Sequence, residues 1–443
     1  MTRPDTIAAP VTPPGYGGVG IVRVSGPGAA AVADAIAPPR PPAHRAALRA
    51  FLDANGRSLD RGLALWFPAP GSYTGEDTLE LHGHGGPAVV DAVQARCLEL
   101  GARAARPGEF TERAFLNGRL DLAQAEAVAD LIESSDAAGA RAALRSLEGA
   151  FSDRVHGLAD ELTALRAWIE AALDFPEDEI DFLADTALRG RLDALDRAFG
   201  DTRAEAASGR RLVEGLTVVI AGAPNAGKSS LLNALAGADS AIVTEIAGTT
   251  RDVLRESIRI DGVPFTLLDT AGLRATDDPV ESEGVRRAEA ALAGADRVLL
   301  VVDATAPASE RPALPDGVVV DIVRNKIDLT AEAPGARDAD GARELRVSAT
   351  TGAGLDALRT HLHGLLGTGP EGGAFSARRR HLDALDRAHA ALQAARAELD
   401  RSGAGELAAE QLRAAQTELG TITGETTTED LLGEIFSRFC IGK

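Results

Sequence analysis

An apolar, strand-like run that enters a glycine-rich turn and then a helical pattern constrains this chain more than any other segment. Residues 216–222 read Leu-Thr-Val-Val-Ile-Ala-Gly, residues 223–229 continue Ala-Pro-Asn-Ala-Gly-Lys-Ser, and a helical pattern begins at Ser230. The spacing G-x-x-x-x-G-K-S is that of a phosphate-binding loop, in which Lys228 reaches the β- and γ-phosphates and the Ser229 hydroxyl ligates Mg²⁺. The segment predicts a nucleoside triphosphate site. A chance glycine turn is disfavoured because the strand pattern before the loop and the helical pattern after it are both present.

Two later motifs, each at the end of a predicted strand, select the base. Asn325-Lys-Ile-Asp328 follows the predicted strand 318–323. The Asp328 carboxylate only accepts hydrogen bonds, and guanine offers adjacent N1–H and N2–H₂ donors that adenine lacks. Ser348-Ala349 follows another short strand and would place a backbone N–H near the guanine O6. Together with the phosphate loop, these motifs predict GTP.

Two segments between these motifs are predicted to sense the γ-phosphate. Asp269-Thr-Ala-Gly272 follows the apolar run 263–268, so its carboxylate would hold magnesium through water and the Gly272 N–H would face the phosphate. The segment 244–252 contains several threonines, of which Thr250 is predicted to complete the magnesium shell; a plain surface loop is the alternative. Loops held by phosphate and metal relax after hydrolysis.

A glutamine that orients the attacking water in small GTPases is replaced by Leu273. Because phosphoryl transfer depends mainly on positioning and charge stabilisation, another acid or a cation must substitute. Glu281 and a monovalent cation beside Asn225 are the candidates, and a solvated helix start is the alternative for Glu281. The GTP-binding residues predicted from all these motifs are Asn225, Ala226, Gly227, Lys228, Ser229, Ser230, Thr244, Glu245, Ile246, Ala247, Gly248, Thr249, Thr250, Asp269, Thr270, Ala271, Gly272, Asn325, Lys326, Asp328, Ser348 and Ala349.

Length and charge narrow the classes of protein to which this chain can belong. A chain of 443 residues suggests roughly three domains. The net charge of −20 argues against a protein that coats nucleic acid in general, since contacts with phosphate dominate such binding. A local basic patch that binds nucleic acid is still compatible with this charge. Two cysteines, Cys97 and Cys440, fit a reducing compartment, and no apolar run is long enough for a membrane span. We therefore expect a cytoplasmic protein that does not engage a membrane.

Composition along the chain predicts a multidomain α/β plus all-α architecture. Residues 1–117 are predicted as a mixed α/β domain, 118–211 and 371–443 as two parts of one helical domain, and 212–370 as an inserted GTPase domain with a mostly parallel sheet. Within the first helical part, apolar residues spaced by threes and fours over 144–173 predict a single long helix.

Three smaller features allow two interpretations each. His82-Gly-His84-Gly-Gly86 lacks a third metal ligand nearby, so a glycine turn feeding a helix is preferred over a metal pair. The run Arg378–Arg380 is either a solvated helix start or a contact for RNA phosphate. Cys440 is either a small apolar residue in a frayed tail or a functional thiol.

Six segments resemble the TrmE–Era-type GTPases, and in particular their tRNA-modifying branch, over essentially the whole chain. They are Asp5–Ala9 with Gly17–Gly20, Asn117–Glu126, Gly222–Ser230, Gly248–Asp252, Asp269–Arg274 and the ending Phe439-Cys-Ile-Gly-Lys443. Asn117–Glu126 and the ending are the specific ones, since the GTPase motifs alone are shared widely.

The resemblance implies a modification of carbon 5 of the tRNA wobble uridine, in which an aminomethyl or carboxymethylaminomethyl group is added together with an FAD protein of the MnmG type in a heterotetramer. It also implies a homodimer whose N-terminal domain binds 5-formyl- or 5,10-methylene-tetrahydrofolate. The implied folate contacts are Arg23, Glu80, Arg119 and Lys443. Many relatives have lysine where this chain has Arg119, which keeps the charge and changes its shape.

The resemblance further implies GTP hydrolysis in which K⁺ takes the place of an arginine finger. Asn225 matches the potassium-ligating asparagine, and the carbonyls of Thr244, Ile246 and Thr249 match the loop that closes over the ion. Glu281 matches the acid that orients the attacking water through a second water, so the catalytic set is Glu281, Asn225 and Lys228. Two rival functions stay open: a GTP switch of the Era type in RNA or ribosome assembly, and a stand-alone folate enzyme with a regulatory GTPase domain.

Overall fold

Two units, each with its own β-sheet, make up the chain. A computed structural model describes residues 5–134, 137–174, 186–236, 255–260, 263–269, 295–306, 319–339, 342–365, 375–437, 439, 440 and 442, with the backbone alone for 174, 186, 236, 255–260, 263–269, 339, 342 and 402. Residues 1–129, 144–199 and 383–443 form the first unit, and residues 130–143 and 200–382 form the second. The predicted fold class, multidomain α/β with all-α segments, is confirmed.

The first unit contains a six-stranded sheet in the order β3-β4-β5-β2-β1-β6, in which β1 and β6 run parallel and the other neighbours antiparallel. Its strands are β1 (Ile7–Pro10), β2 (Gly17–Ser25), β3 (Ala47–Leu52), β4 (Ser58–Phe67), β5 (Thr78–Gly85) and β6 (Arg103–Ala104). Three helices accompany them: α1 (Ala29–Ile36), α2 (Pro87–Glu99) and α3 (Glu109–Leu116).

Strand β2 presents different chemistry to the two faces of this sheet, because successive side chains of a strand point to opposite sides. Val22 and Val24 are fully buried in the apolar cluster formed with α1 and α2. Arg23 lies between them in sequence and contacts the ring of Phe110 in α3. One face of β2 therefore belongs to the core, and the other carries a half-buried cation.

Four helices follow in sequence: α4 (Leu122–Glu133), α5 (Ala137–Leu147), α6 (Ala150–Asp174) and α7 (Thr186–Val213). The prediction of one helix through residues 144–173 is wrong, because the chain leaves helical geometry between α5 and α6. Gly149 has φ +102° there, a conformation outside the right-handed helical region that glycine adopts at little cost. Apolar spacing continues on both sides of the break, which is why periodicity alone predicts a continuous helix.

The second unit contains a seven-stranded sheet in the order β12-β13-β11-β10-β7-β9-β8. Its strands are β7 (Leu216–Gly222), β8 (Arg255–Ile260), β9 (Val263–Asp269), β10 (Arg297–Asp303), β11 (Val320–Asn325), β12 (Gly335–Ala339) and β13 (Ala342–Arg346), and its helices include α8 (Lys228–Ala236) and α9 (Leu355–Gly364). Among the strand pairs described for this sheet, only the edge pairs β8–β9 and β12–β13 are antiparallel. The carboxyl ends of the central strands consequently meet at one edge.

Three further helices complete the described chain: α10 (Arg379–Ser402), α11 (Gly405–Thr423) and α12 (Glu429–Ser437). Within the first unit α11 packs along α6, where Leu162 and Leu412 are both fully buried. Arg166 of α6 also donates a hydrogen bond to Gln416 of α11 at 2.6 Å. Helical segments that are distant in sequence therefore pack against each other in this unit.

The predicted glycine turn at His82–Gly86 is wrong, because strand β5 continues through Gly85 and pairs with β2. A side chain at Gly83 would place its Cβ 2.4 Å from Oδ2 of Asp60. Glycine here permits a close approach of a neighbouring side chain within the sheet.

Among the helices of the described ranges, none is both long and apolar enough to cross a bilayer.

Candidate functional site

The phosphate loop joins β7 to α8, and its two motif glycines are required by geometry. Gly222 has φ +150° and Gly227 has φ +93°. A Cβ at Gly222 would lie 2.3 Å from the carbonyl oxygen of Val301, and one at Gly227 would lie 2.3 Å from Nδ2 of Asn325. Only glycine at these two positions lets the loop come so close to β10 and to the end of β11.

Lys228, the first residue of α8, directs its ammonium group back into the loop. Its Nζ donates hydrogen bonds to the carbonyl oxygens of Gly222 at 3.0 Å and Ala223 at 3.1 Å. The residue is only 9% exposed. A buried cation next to backbone N–H groups at a helix N-terminus is an arrangement suited to a phosphate group.

The side chain of Asn325 joins three of the predicted motifs. Its Nδ2 donates to the Ala226 carbonyl at 3.0 Å, and its Oδ1 accepts from the Ala349 N–H at 3.0 Å. Asn325 is 2% exposed, so both hydrogen bonds are shielded from water. The phosphate loop, the end of β11 and the segment after β13 are thereby fixed to one another.

Lys326 connects the same loop to a residue that the sequence analysis did not identify. Its Nζ donates to the Asn225 carbonyl at 2.7 Å and forms an ion pair with Asp303 at 2.6 Å. Hydrogen bonds from Lys326 and then from Thr305 lower the pKa of Asp303 to about 2. An acid directly after the apolar run 298–302 was the available signal, since it places a carboxylate at a strand end.

The other predicted base-binding residues lie at the same edge of the sheet. Asp328 is exposed in a short 3₁₀ helix, Ile327–Leu329. Ser348 is fully buried, and its Oγ accepts a hydrogen bond from the Thr351 N–H at 3.1 Å. In the sheet register Asp269 pairs with Ile220 of β7, which puts the end of β9 beside the start of the phosphate loop.

Ser229 and Ser230 are exposed in the first turn of α8. The remaining predicted residues lie outside the described residues, namely Thr244, Glu245, Ile246, Ala247, Gly248, Thr249, Thr250, Thr270, Ala271, Gly272, Glu281 and Lys443. The arrangement described therefore comprises the phosphate loop, the guanine-recognition segment and the strand ends around them.

The first unit holds a second polar site, in which Arg23 and Glu80 are opposite one another on β2 and β5. The Arg23 Nε donates to Oε1 of Glu80 at 2.9 Å, and the guanidinium lies 5.3 Å from the Tyr73 ring centroid and 5.5 Å from that of Phe110. His82 contacts the other oxygen of Glu80 at 3.0 Å. Tyr73 and Phe110 are site residues that the sequence analysis missed, because long-range packing brings them there.

The ionisation of this second site follows from its contacts. Burial alone would raise the pKa of Glu80, but the hydrogen bond from His82 and the charge of Arg23 outweigh it and lower the pKa. Burial raises the pKa of Tyr73, whose hydroxyl lies 2.8 Å from Oγ1 of Thr111. Glu80 is therefore a carboxylate at neutral pH, and Tyr73 is a neutral phenol.

The end of the chain packs against the strand next to this site. Gly442 is buried with φ +97°, and a Cβ there would lie 2.1 Å from the Pro10 carbonyl oxygen. The neighbour of Pro10, Ala9, pairs with Arg23 in the sheet. The Gly108 N–H also donates to the Cys440 carbonyl at 3.3 Å, while Cys440 itself is exposed.

Arg119, the third implied folate residue, is exposed beside the loop that carries Tyr73. A Cβ at Gly75 would lie 3.2 Å from its Cγ. The neighbouring Asn117 donates to the Thr74 carbonyl at 2.7 Å, which fixes the turn after α3 to the same loop. The structure thus brings Arg23 and Glu80 into direct contact and places Arg119 along the adjoining loop.

The two histidines weighed as a metal pair have separate carboxylate partners. His82 contacts Glu80, whereas Nδ1 of His84 contacts Asp60 at 2.8 Å. Within the described ranges, no group of three potential metal-binding side chains of the His, Cys, Asp and Glu types is present. In the second unit Arg378 donates to the buried Asp130 at 2.6 Å, so the side chain of this arginine has a partner within the protein.

A strand–loop–helix phosphate cradle, bonded to a guanine-recognition segment at the edge of a parallel sheet, defines the class of P-loop GTPases. Comparison with known families matches residues 6–119 to the GTP-binding protein TrmE N-terminus and residues 122–440 to the MnmE helical domain. The chain therefore belongs to the MnmE family of tRNA modification GTPases, as its sequence resemblance predicted.

Individual relatives align with this chain over nearly its full length. The tRNA modification GTPase MnmE of Alkalilimnicola ehrlichii is 58% identical over 440 residues, which cover 99% of each chain. The tRNA modification GTPase MnmE of Pseudomonas aeruginosa strain UCBPP-PA14 is 57% identical over 452 residues, again covering 99% of each chain. A crystal structure of Aquifex aeolicus Era bound to GDP and AlF4⁻ is 28% identical, covers 40% of this chain and 66% of that chain, and superposes with a TM-score of 0.27, too low to add to the argument.

Proposed function

We propose that this GTPase is stimulated by potassium and drives the addition of an aminomethyl or carboxymethylaminomethyl group to carbon 5 of the tRNA wobble uridine. It acts with an FAD protein of the MnmG type and uses a one-carbon unit from 5-formyl- or 5,10-methylene-tetrahydrofolate. The proposal assigns the active form to a homodimer that joins its partner in a heterotetramer. Sequence identities of 58% and 57% to two tRNA modification GTPases, each over 99% of the chain, favour it over a GTP switch in RNA or ribosome assembly.

The observation that carries the GTPase part is the Asn325 side chain, which bonds the phosphate loop on one side and the segment of Ser348 and Ala349 on the other. This arrangement suits a ligand with a phosphate at one end and a guanine at the other. Lys228 supplies positive charge to the phosphates, and Asp328 accepts from the base. The proposed switch residues, Thr250 and Gly272, respond to the γ-phosphate.

Two cations are proposed for this site, each held by oxygen ligands. Hydroxyl groups of Ser229 and Thr250 are proposed for Mg²⁺, which prefers hard oxygen ligands. For K⁺ the proposed ligands are the exposed Asn225 side chain and the carbonyls of Thr244, Ile246 and Thr249. A bound cation supplies positive charge to the developing transition state. Glu281 is proposed to orient the attacking water, and Lys228 to hold the phosphate that is transferred.

The Arg23–Glu80 site suits a folate. Glu80 is an ionised acceptor for the donor edge of a pterin ring, and the Tyr73 ring offers an apolar surface beside it. The exposed Arg119 and Lys443, which follows the buried Gly442, are proposed to attract the anionic glutamyl end. This assignment makes residues 1–117 the folate-binding and dimerisation domain, 118–211 and 371–443 the helical domain, and 212–370 the GTPase domain.

Mass spectrometry of wobble nucleosides tests the proposal directly. Cells that lack this gene are expected to lose the uridine modification at carbon 5, and the wild-type gene is expected to restore it. A gene that encodes Asn225→Ala serves as the comparison that retains the chain but lacks the proposed cation ligand. Unchanged wobble uridines in the deletion strain would contradict the proposed function.

A further inference from the structure

The Lys326 ammonium group bridges two segments that are far apart in sequence. It donates to the Asn225 carbonyl at 2.7 Å and pairs with Oδ2 of Asp303 at 2.6 Å. The Lys326 side chain is 31% exposed and that of Asp303 is 20% exposed. Without a partner, a flexible lysine so exposed would extend into water, so its contact with the loop depends on what holds it.

Asp303 is itself fixed before it meets the lysine. The Thr305 N–H donates to Oδ1 at 2.9 Å, and the Thr305 hydroxyl donates to the same oxygen at 2.6 Å. Asp303 is the last residue of β10 and pairs in register with Asn325 of β11. One carboxylate oxygen is therefore anchored at the strand end, while the other faces the lysine that follows Asn325.

We propose that Asp303 is a positioning residue that holds the Lys326 ammonium against the Asn225 carbonyl, and so couples the guanine-recognition segment to the phosphate loop at the proposed potassium ligand. The inference rests on the proposed function in taking Asn225 as that ligand. Asp303 contributes no direct contact to nucleotide in this role. It acts through Lys326.

Two physical consequences follow from the coupling. Asn225 has φ +63°, which is uncommon for a residue other than glycine, so its backbone needs contacts that keep it there. The charge-assisted hydrogen bond from Lys326 is one of them. In addition, the Asp303 carboxylate offsets the lysine charge next to the proposed cation ligand, and a neutral replacement leaves that charge to repel K⁺.

The test measures GTP turnover against potassium concentration, together with binding of a fluorescent GDP analogue, for the wild type and Asp303→Asn. We expect the substitution to raise the half-saturating potassium concentration by roughly tenfold and to weaken GDP binding several-fold, with kcat at saturating potassium close to wild type. Glu332→Gln is the matched control, because Glu332 pairs with Arg324 at 2.8 Å in the same unit. Its potassium response is expected to be that of the wild type.

Lys326→Gln removes the other partner of the Lys326–Asp303 ion pair. In that background Asp303→Asn is expected to cause no further change in potassium response, since the pair is already broken. A wild-type potassium response in Asp303→Asn, or an equal loss in Glu332→Gln, would overturn the inference. If the wild type itself does not respond to potassium, the proposed cation mechanism fails instead, and unchanged GDP binding by Asp303→Asn would then overturn the inference separately.

Discussion

The side-chain amide of Asn325 donates a hydrogen bond to the backbone carbonyl of Ala226 at 3.0 Å, in a position where only 2% of Asn325 is exposed. This contact brings the end of β11 against the phosphate loop so closely that the next residue, Gly227, has no room for a side chain. The same hydrogen bond therefore shapes the proposed nucleotide site and packs the strand ends at that site together.

Gly227→Ala is expected to abolish tight nucleotide binding. Its methyl group would lie 2.3 Å from Nδ2 of Asn325, and its φ of +93° is strained for alanine. Binding of a fluorescent GDP analogue measures the effect. Gly200→Ala is the control, because Gly200 lies inside α7 with nothing within 4 Å of a Cβ. That change is expected to preserve binding and to stabilise by up to about 1 kcal/mol. Equal GDP affinity in Gly227→Ala and wild type would contradict the described loop.

Replacing NaCl by KCl at equal ionic strength is expected to raise GTP turnover of the wild type by at least about tenfold, since a cation there replaces the charge of an arginine finger. Asn225→Ala is expected to lose this response while retaining most of its GDP affinity. Asn55→Ala, in an exposed turn between β3 and β4, is the control and is expected to respond as the wild type does. A potassium response that survives in Asn225→Ala would remove Asn225 from the cation site.

Arg23→Ala is expected to weaken binding of 5-formyl-tetrahydrofolate by roughly tenfold or more, because Glu80 loses a charged partner at 2.9 Å. Turnover of GTP is expected to stay unchanged. Arg40→Ala is the matched control: Arg40 also has a carboxylate partner, Asp34, and lies 5.2 Å from the Trp66 ring centroid. Calorimetry distinguishes the two variants, and a folate affinity equal to that of the control would exclude the Arg23 site.

Glu109 at the start of α3 is expected to stabilise the first unit in a pH-dependent manner. Burial would raise its pKa, but hydrogen bonds from Arg103, the Arg106 backbone and Arg113 lower it from 4.5 to about 2. Because the pKa is depressed by folding, this stabilisation is fully present above pH 4.5 and is lost as the pH falls towards 2. The carboxylate side chain is 3% exposed.

Glu109→Gln is therefore expected to lower the free energy of unfolding by about 2 kcal/mol at pH 7, with a smaller difference from the wild type below pH 4.5. Fluorescence during urea unfolding reports on this unit, which contains both tryptophans, Trp66 and Trp168. Glu112→Gln, which breaks a more exposed pair with Arg106, is expected to have little effect. A difference for Glu109→Gln that stays constant from pH 7 to pH 3 would contradict the ionic explanation.

The sequence indicated the phosphate loop and the parallel sheet because both are encoded locally. Seven consecutive residues form β7, and Gly222 at its end and Gly227 in the loop sit where the backbone must turn. The sequence does not single out strand β3, because all six of its residues except Arg49 are apolar and show no alternation, and Leu48, which pairs with Leu63 of β4, is exposed despite being apolar. Exposure of such residues depends on tertiary packing that no short window contains.

The residues that support each site were harder to predict than those in motifs. Asp303 matters because β10 and β11 pair in register, and that pairing joins it to Lys326. Phe110 lies beside Arg23 because it packs in a buried cluster with Ile7 and Ala9 of β1, the strand next to β2, although Phe110 and Arg23 are far apart in the chain. Sequence spacing identifies side chains that act on a ligand, whereas those that orient them are found only once long-range contacts are known. The four predicted domain ranges and the folate and cation ligands remain predictions.

The specificity of Asp328 tests the central claim most directly, namely that this edge of the sheet recognises a guanine nucleotide. Asp328→Asn replaces an acceptor of two hydrogen bonds by a group that both donates and accepts, which suits the carbonyl at position 2 of xanthine better than the amino group of guanine. Calorimetric titration with GDP and XDP is expected to show GDP affinity reduced by roughly a hundredfold and XDP affinity increased, relative to wild type. Undiminished GDP affinity in Asp328→Asn would contradict the account.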